Sequence, residues 1–210
     1  MIEDALKAAG LTIFGGFHPH QDPWFDDYLT ALLIGPDEPR FWHHFTQQHE
    51  YRDGLPDAMD RYSKRVLNVI AAEHNGKALY PSDGPPYPPF IQWALSSGCA
   101  QSPVGLLVSD KAGLFASFRG ILALPNPLDL PIATHSPCAT CTEQPCRTAC
   151  PIGALTPAGY DVAACKAYLR TEAGQPCLSG CKVRLSCPAS QKFGRLQAQS
   201  RFHMKAFLGE

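Results

Sequence analysis

The segment CATCTEQPCRTACPIGAL places four thiols, Cys138, Cys141, Cys146 and Cys150, inside thirteen residues, and Cys165, Cys177, Cys181 and Cys187 follow. Cys99 is the one cysteine outside this stretch. Thiolates are soft, anionic ligands that suit iron bridged by sulfide or zinc, and close spacing reduces the chain entropy lost when a site closes. Two of the thiols precede proline, at Cys150-Pro151 and Cys187-Pro188. Eight ligands meet the demand of two four-iron clusters. Two zinc sites of four cysteines each would use the same count. Disulfides are a third use, disfavoured by the odd total and by the N-terminus MIEDALKAAG, which has no apolar leader core.

In bacterial two-cluster ferredoxins a CxxCxxCxxxCP run gives three ligands to one cluster and its last to the other. Applied here, that crossing rule assigns Cys138, Cys141, Cys146 and Cys187 to one cluster and Cys150, Cys165, Cys177 and Cys181 to a second. The expected cofactors are two 4Fe-4S clusters. The gaps depart from that pattern, with four residues between Cys141 and Cys146 and a long final run, CLSGCKVRLSCP.

The elements that would position these thiols follow from hydrophobic periodicity. The 210 residues suffice for one sizeable core and a small second module. A helix is expected up to Gly10, then strands at LTIFGGF and YLTALLIGP, with Gly15-Gly16 as punctuation. PDEPRFWHHFTQQHEY reads as helical. MDRYSKRVLNVIAAEH reads as a helix with an apolar face of Tyr62, Val66, Leu67, Val69 and Ile70. YPSDGPPYPPF is an ordered loop, because its prolines remove donors and fix φ. FIQWALSSG is a helix, and VGLLVSD with LFASFRGILALP reads as a hairpin about Lys111-Ala112-Gly113. The fold class is therefore α+β with a largely antiparallel sheet. The expected domains are 1–131 and, where composition turns to Cys, Thr, Pro and Ala, 132–210.

A net charge of −1 offers no basic face for nucleic acid, and no run approaches the ~18–20 apolar residues of a bilayer span. A cytoplasmic protein with neither nucleic acid nor membrane as partner is expected.

The order CATCTEQPCRTACPIGAL, DVAACKAYLRTE, CLSGCKVRLSCP resembles the double-cluster module of epoxyqueuosine reductases, cobalamin-dependent enzymes of tRNA modification. The upstream GPPYPPFIQWALSSG…SPVGLLVSDKAGLFASFRGILALP is similar to the same region of those reductases and of cobalamin-processing decyanases and dealkylases. The resemblance implies a nitroreductase-like domain that cradles a base-off corrin, followed by a ferredoxin-like two-cluster module. It implies a catalytic proton donor near the FIQWALSSG helix, where Pro86 takes the acid's place and Asp83 stands three residues away. Tyr87, Trp93 and Arg119 are the candidate cobalamin-binding residues. The reductases continue into a tRNA-recognising helical-repeat domain, whereas this sequence stops at Glu210, so epoxyqueuosine reduction is not expected.

The combined expectation is an iron–sulfur oxidoreductase passing electrons to a corrinoid, with a flavodoxin or reductase as electron donor. The alternative is a ferredoxin-type carrier without a corrinoid. Isolated residues have plainer uses. His18, His20, His43, His44 and His49 read as surface or capping groups, and Cys99 as a small buried hydrophobe.

Overall fold

The computed structural model describes residues 1–130 and 136–209. In chain order, α1 (Ile2–Ala8), β1 (Leu11–Phe17), β2 (Thr30–Pro36), α2 (Arg40–Phe45), α3 (His49–Arg52), α4 (Ala58–Glu73), β3 (Lys77–Leu79) and α5 (Phe90–Ser96) form the first half. Then come β4 (Ala100–Gln101), β5 (Leu107–Val108), β6 (Gly120–Leu124), β7 (Leu155–Thr156), β8 (Gly159–Tyr160) and α6 (Val162–Leu169). The chain ends through α7 (Gln175–Leu178), α8 (Lys182–Ser186), α9 (Pro188–Gln191) and α10 (Gln197–Leu208). The class is α+β with antiparallel sheets.

The chain divides into two compact units. The first comprises Met1–Gly98 and the stretch that begins at Ser117; the second comprises Cys99–Ala116 and the cysteine-rich remainder. The expected boundary at 131/132 lies outside the described residues. The segment Cys99–Ala116, expected in the first domain, belongs to the second unit.

In the first unit a four-stranded antiparallel sheet has the order β1-β2-β6-β3. The two inner strands, TALLIGP and GILAL, are buried along their whole length. Each is a short apolar run without alternation, the pattern of a strand covered on both faces. Gly15 and Gly16 lie inside β1 and do not end it. Pairing with β2 slips between Ile13 and Gly15, a β-bulge. A methyl group on Gly15 would meet the Ser97 carbonyl oxygen at 2.0 Å, so the bulge accommodates the close approach of the end of α5.

PDEPRFWHHFTQQHEY breaks into α2 and α3. Phe41 and Phe45 stack at 5.7 Å and meet Tyr62 of α4, whose hydroxyl donates to the Ala9 carbonyl at 2.7 Å. The buried face of α4 is Met59, Tyr62, Ser63, Leu67, Ile70 and Ala71, while Val69 is exposed. Val69 lies roughly 100° from Ile70 around the axis, which takes it off that face.

The expected hairpin between VGLLVSD and LFASFRGILALP does not form. β5 pairs with β4, and β6 pairs with β2 and β3. Ser109 of the first run makes a single bridge with Gly113 of the connecting turn. Local spacing favoured a hairpin, but five buried residues of β6 gain more between seven-residue β2 and three-residue β3 than against two-residue β5.

Glu50 of α3 is 2% exposed, and its carboxylate accepts from Arg65 Nε at 2.5 Å and Nη2 at 3.1 Å. These hydrogen bonds hold its pKa below the ordinary glutamate value. A lowered folded pKa contributes stability that is present above the unfolded pKa and lost as pH falls through the folded one. Glu50→Gln is expected to cost about 1–3 kcal/mol at pH 7, read from urea midpoints, and progressively less as the pH drops below 4. A second expectation concerns the split: a fragment beginning at residue 132 lacks Val104, Val108 and Leu114 of the second unit's core and is expected to show no cooperative unfolding transition.

Candidate metal centre

The second unit holds its thiols on loops and on helices of few turns. Residues 136–150 run as turns with one 3-10 turn at Pro145–Arg147, preceded by Gln144 in the left-handed region. Cys165 rides on α6, whose N-cap Asp161 accepts from the Ala164 N–H at 2.9 Å. Cys177 lies in α7, Cys181 caps α8, and Cys187 is the extended residue between α8 and α9. Pro188 opens α9, where its missing N–H costs nothing. The Cys-Pro pair thus ends one segment and starts the next.

The apolar cluster that holds these loops is Val104, Val108, Leu114, Leu155 and Val183, with Cys146 and Cys187 buried among them. Ser190 of α9 accepts from the Leu114 N–H at 2.8 Å and donates to the Ala112 carbonyl at 3.4 Å. Gly113 between them has φ +54°, and a Cβ there would meet the Ser190 nitrogen at 2.3 Å. The Arg184 guanidinium donates to the Leu114 carbonyl. The Cys99–Ala116 segment is thereby pinned to the helices that follow Cys181 and Cys187.

Cys138, Cys141, Cys146 and Cys187 line one pocket together with Val108, Leu114 and the prolines at 137 and 188. Cys138 and Cys146 each interact electrostatically with other thiols of that set. Cys165 interacts with Cys181 and Cys150, and Cys177 with Cys181, Cys150 and Cys165. Cys138, Cys141, Cys146 and Cys187 thus share one pocket, and the interactions of Cys165 and Cys177 run to Cys150 and Cys181 rather than to those four. All nine cysteines are free. Burial, the largest cause, pushes the thiols of Cys138, Cys146, Cys165 and Cys177 above the ordinary cysteine value. Among the described residues, no group of three or more His, Cys, Asp or Glu side chains is gathered as a site for a metal ion. Cys99 is buried and its thiol is pushed up to about 11, first by burial and then by Asp110.

The candidate residues of the first unit have separate surroundings. Asp83 accepts from Lys64 Nζ at 2.9 Å with one oxygen and from the Tyr80 N–H at 3.1 Å with the other. Trp93 is buried against Phe25 and Phe90, and its Nε1 donates to Asp22 at 2.8 Å. Tyr87 is exposed. Arg119 donates to Asp60 at 3.3 Å from Nη1, while its Nε is buried without a hydrogen-bond partner. Among the histidines, His18 pairs with the Leu29 carbonyl, His44 with Gln48, and His49 with Glu50.

Residues that spacing did not single out surround the second set. The Ala154 N–H donates to Cys150 Sγ at 3.3 Å, and the Tyr160 hydroxyl hydrogen-bonds Cys165. Arg184 acts electrostatically on Cys181. An arginine inside CKVRLSC, between two ligand candidates, is the signal that could have drawn attention to it.

No protein-family model, curated protein or solved structure matches this chain.

Ser190→Ala removes the acceptor of a buried N–H and is expected to destabilise the second unit by about 1–3 kcal/mol. Hydrogen exchange at the Leu114 amide is the direct measure, and an unchanged rate would count against the pinning role.

Proposed function

We propose that this chain is a two-cluster iron–sulfur protein that takes up and passes on single electrons, with a corrinoid as acceptor. The observation that supports the reading is the gathering of Cys138, Cys141, Cys146 and Cys187 at one pocket with Val108 and Leu114, while Cys165 and Cys177 interact with Cys150 and Cys181. The donor set fits the group: eight soft ligands, free of disulfides. Cys138, Cys141, Cys146 and Cys187 would hold one 4Fe-4S cluster, and Cys150, Cys165, Cys177 and Cys181 the other. A bound cluster supplies reversible one-electron chemistry. The chain's own contribution is to bury the sulfurs, to exclude water with Val108 and Leu114, and to fix Cys187 beside the earlier run through α8 and α9.

The corrinoid is the part that rests on resemblance. The antiparallel first unit supports a nitroreductase-like reading at the level of class. A flavodoxin or reductase would serve as electron donor, and the cytoplasm as compartment. Electron carriage without a corrinoid is the second reading. It is favoured by the hydrogen bonds of Asp83 and Trp93, which are made within the first unit. Both oxygens of Asp83 act as acceptors, so Asp83 is engaged as a carboxylate and not as a proton donor.

Anaerobic purification and metal analysis are expected to give about eight iron atoms per chain and no zinc. Zinc in place of iron would overturn the reading. Cys150→Ser is expected to remove the cluster held with Cys165 and to spare the one held with Cys138; the reverse loss would refute the crossing assignment. Cobalamin added to the iron-loaded protein distinguishes the acceptors: a base-off spectrum supports the corrinoid, and no binding leaves electron carriage.

A further inference from the structure

Ser102 follows β4 and opens the turn that leads to β5. Its N–H donates to the Leu106 carbonyl at 2.8 Å, and its own carbonyl accepts from the Gly105 N–H at 3.0 Å. The same turn puts Val104 and Val108 into the core of the second unit, so the backbone at Ser102 is held in place by pairing and by packing. The side chain takes no part in this. Ser102 is 6% exposed, and its hydroxyl is buried without a hydrogen-bond partner among the described residues. A buried hydroxyl left unpaired is costly, and most such groups in folded proteins have a partner.

Ser102 lines the pocket shared by Cys138, Cys141, Cys146 and Cys187. Val108, Leu114, Ala189 and the prolines of that lining have side chains without an acceptor, and the side-chain oxygen of Gln144 already accepts from Arg147 Nε. A protonated thiol is a weak acceptor, whereas sulfur carrying negative charge accepts strongly. The thiolate is the form that ligates metal. Ligation at this pocket therefore creates the acceptor that the Ser102 hydroxyl lacks. Ser102 stands upstream of the cysteine-rich stretch, so ligand spacing does not point to it.

We infer that the Ser102 hydroxyl donates to a sulfur of the cluster that Cys138, Cys141, Cys146 and Cys187 would hold. The inference rests on the two-cluster reading. A donor at a ligating sulfur stabilises the charge of an added electron and raises the reduction potential of that site. Each reduction adds one electron, supplied in the test by dithionite, and neither makes nor breaks a bond to the protein.

The test is a potentiometric titration of the anaerobically loaded full chain, followed by electron paramagnetic resonance, with iron counted on every sample. Two clusters contribute equal shares of the signal. Ser102→Ala is expected to lower the midpoint of one share by about 59 mV, a tenfold change in its one-electron equilibrium constant, and to leave the other in place. Ser102→Thr, which keeps the hydroxyl, is expected to hold the wild-type midpoint. Exchange into heavy water is expected to shift the iron–sulfur stretching bands more in the wild type than in Ser102→Ala. Should Ser102→Ala not load iron, Ser102→Gly carries the same expectations. Unchanged midpoints and an equal heavy-water shift, or a change spread over both shares, overturn the inference, while a full iron count leaves the two-cluster reading standing. A wild-type chain that holds no iron overturns both.

Discussion

The second unit depends on burial of a few aliphatic side chains against its own thiols. Its ladders are two residues long and most of its helices are single turns, so backbone pairing supplies little rigidity. Val104, Val108, Leu114, Leu155 and Val183 provide the core, and Cys146 and Cys187 are part of it. A thiol that is also a core residue is held in place by packing. The cost is electrostatic: burial disfavours thiolates, and the thiols of four of the eight are pushed upward.

The same packing explains why the chain visits the second unit twice. Cys99–Ala116 leaves the first unit after α5, contributes Val104, Val108 and Leu114, and returns as β6. Gly113 and Ser190 show how tight that visit is. Only a residue without Cβ allows the Ser190 nitrogen so near, and Ser190 in turn satisfies a buried N–H and a carbonyl. The cysteine-rich stretch is therefore not a self-contained appendix. Three of its core residues, Val104, Val108 and Leu114, come before residue 117.

Much of this was legible in the sequence, because the relevant signals are local. The inner strands TALLIGP and GILAL stand out as uninterrupted apolar runs, and the span of α4 follows from its period. What was not legible is non-local. Lys111-Ala112-Gly113 has the composition of a hairpin turn, and nothing in those residues reveals that β6 has longer partners elsewhere. Gly15-Gly16 reads as a break, yet the pair serves a bulge whose cause, Ser97, lies more than eighty residues away. Asp83 and Trp93 looked available because sequence does not show Lys64 or Asp22 engaging them.

The contrast between the units bears on how function is divided. In the first, the singled-out polar groups are largely engaged with one another: Trp93 with Asp22, Asp83 with Lys64, Glu50 with Arg65. Such pairs fix elements in place and leave those side chains little freedom to meet a ligand. In the second, the distinctive groups are ligand-type sulfurs, and the polar groups near them are aimed at those sulfurs.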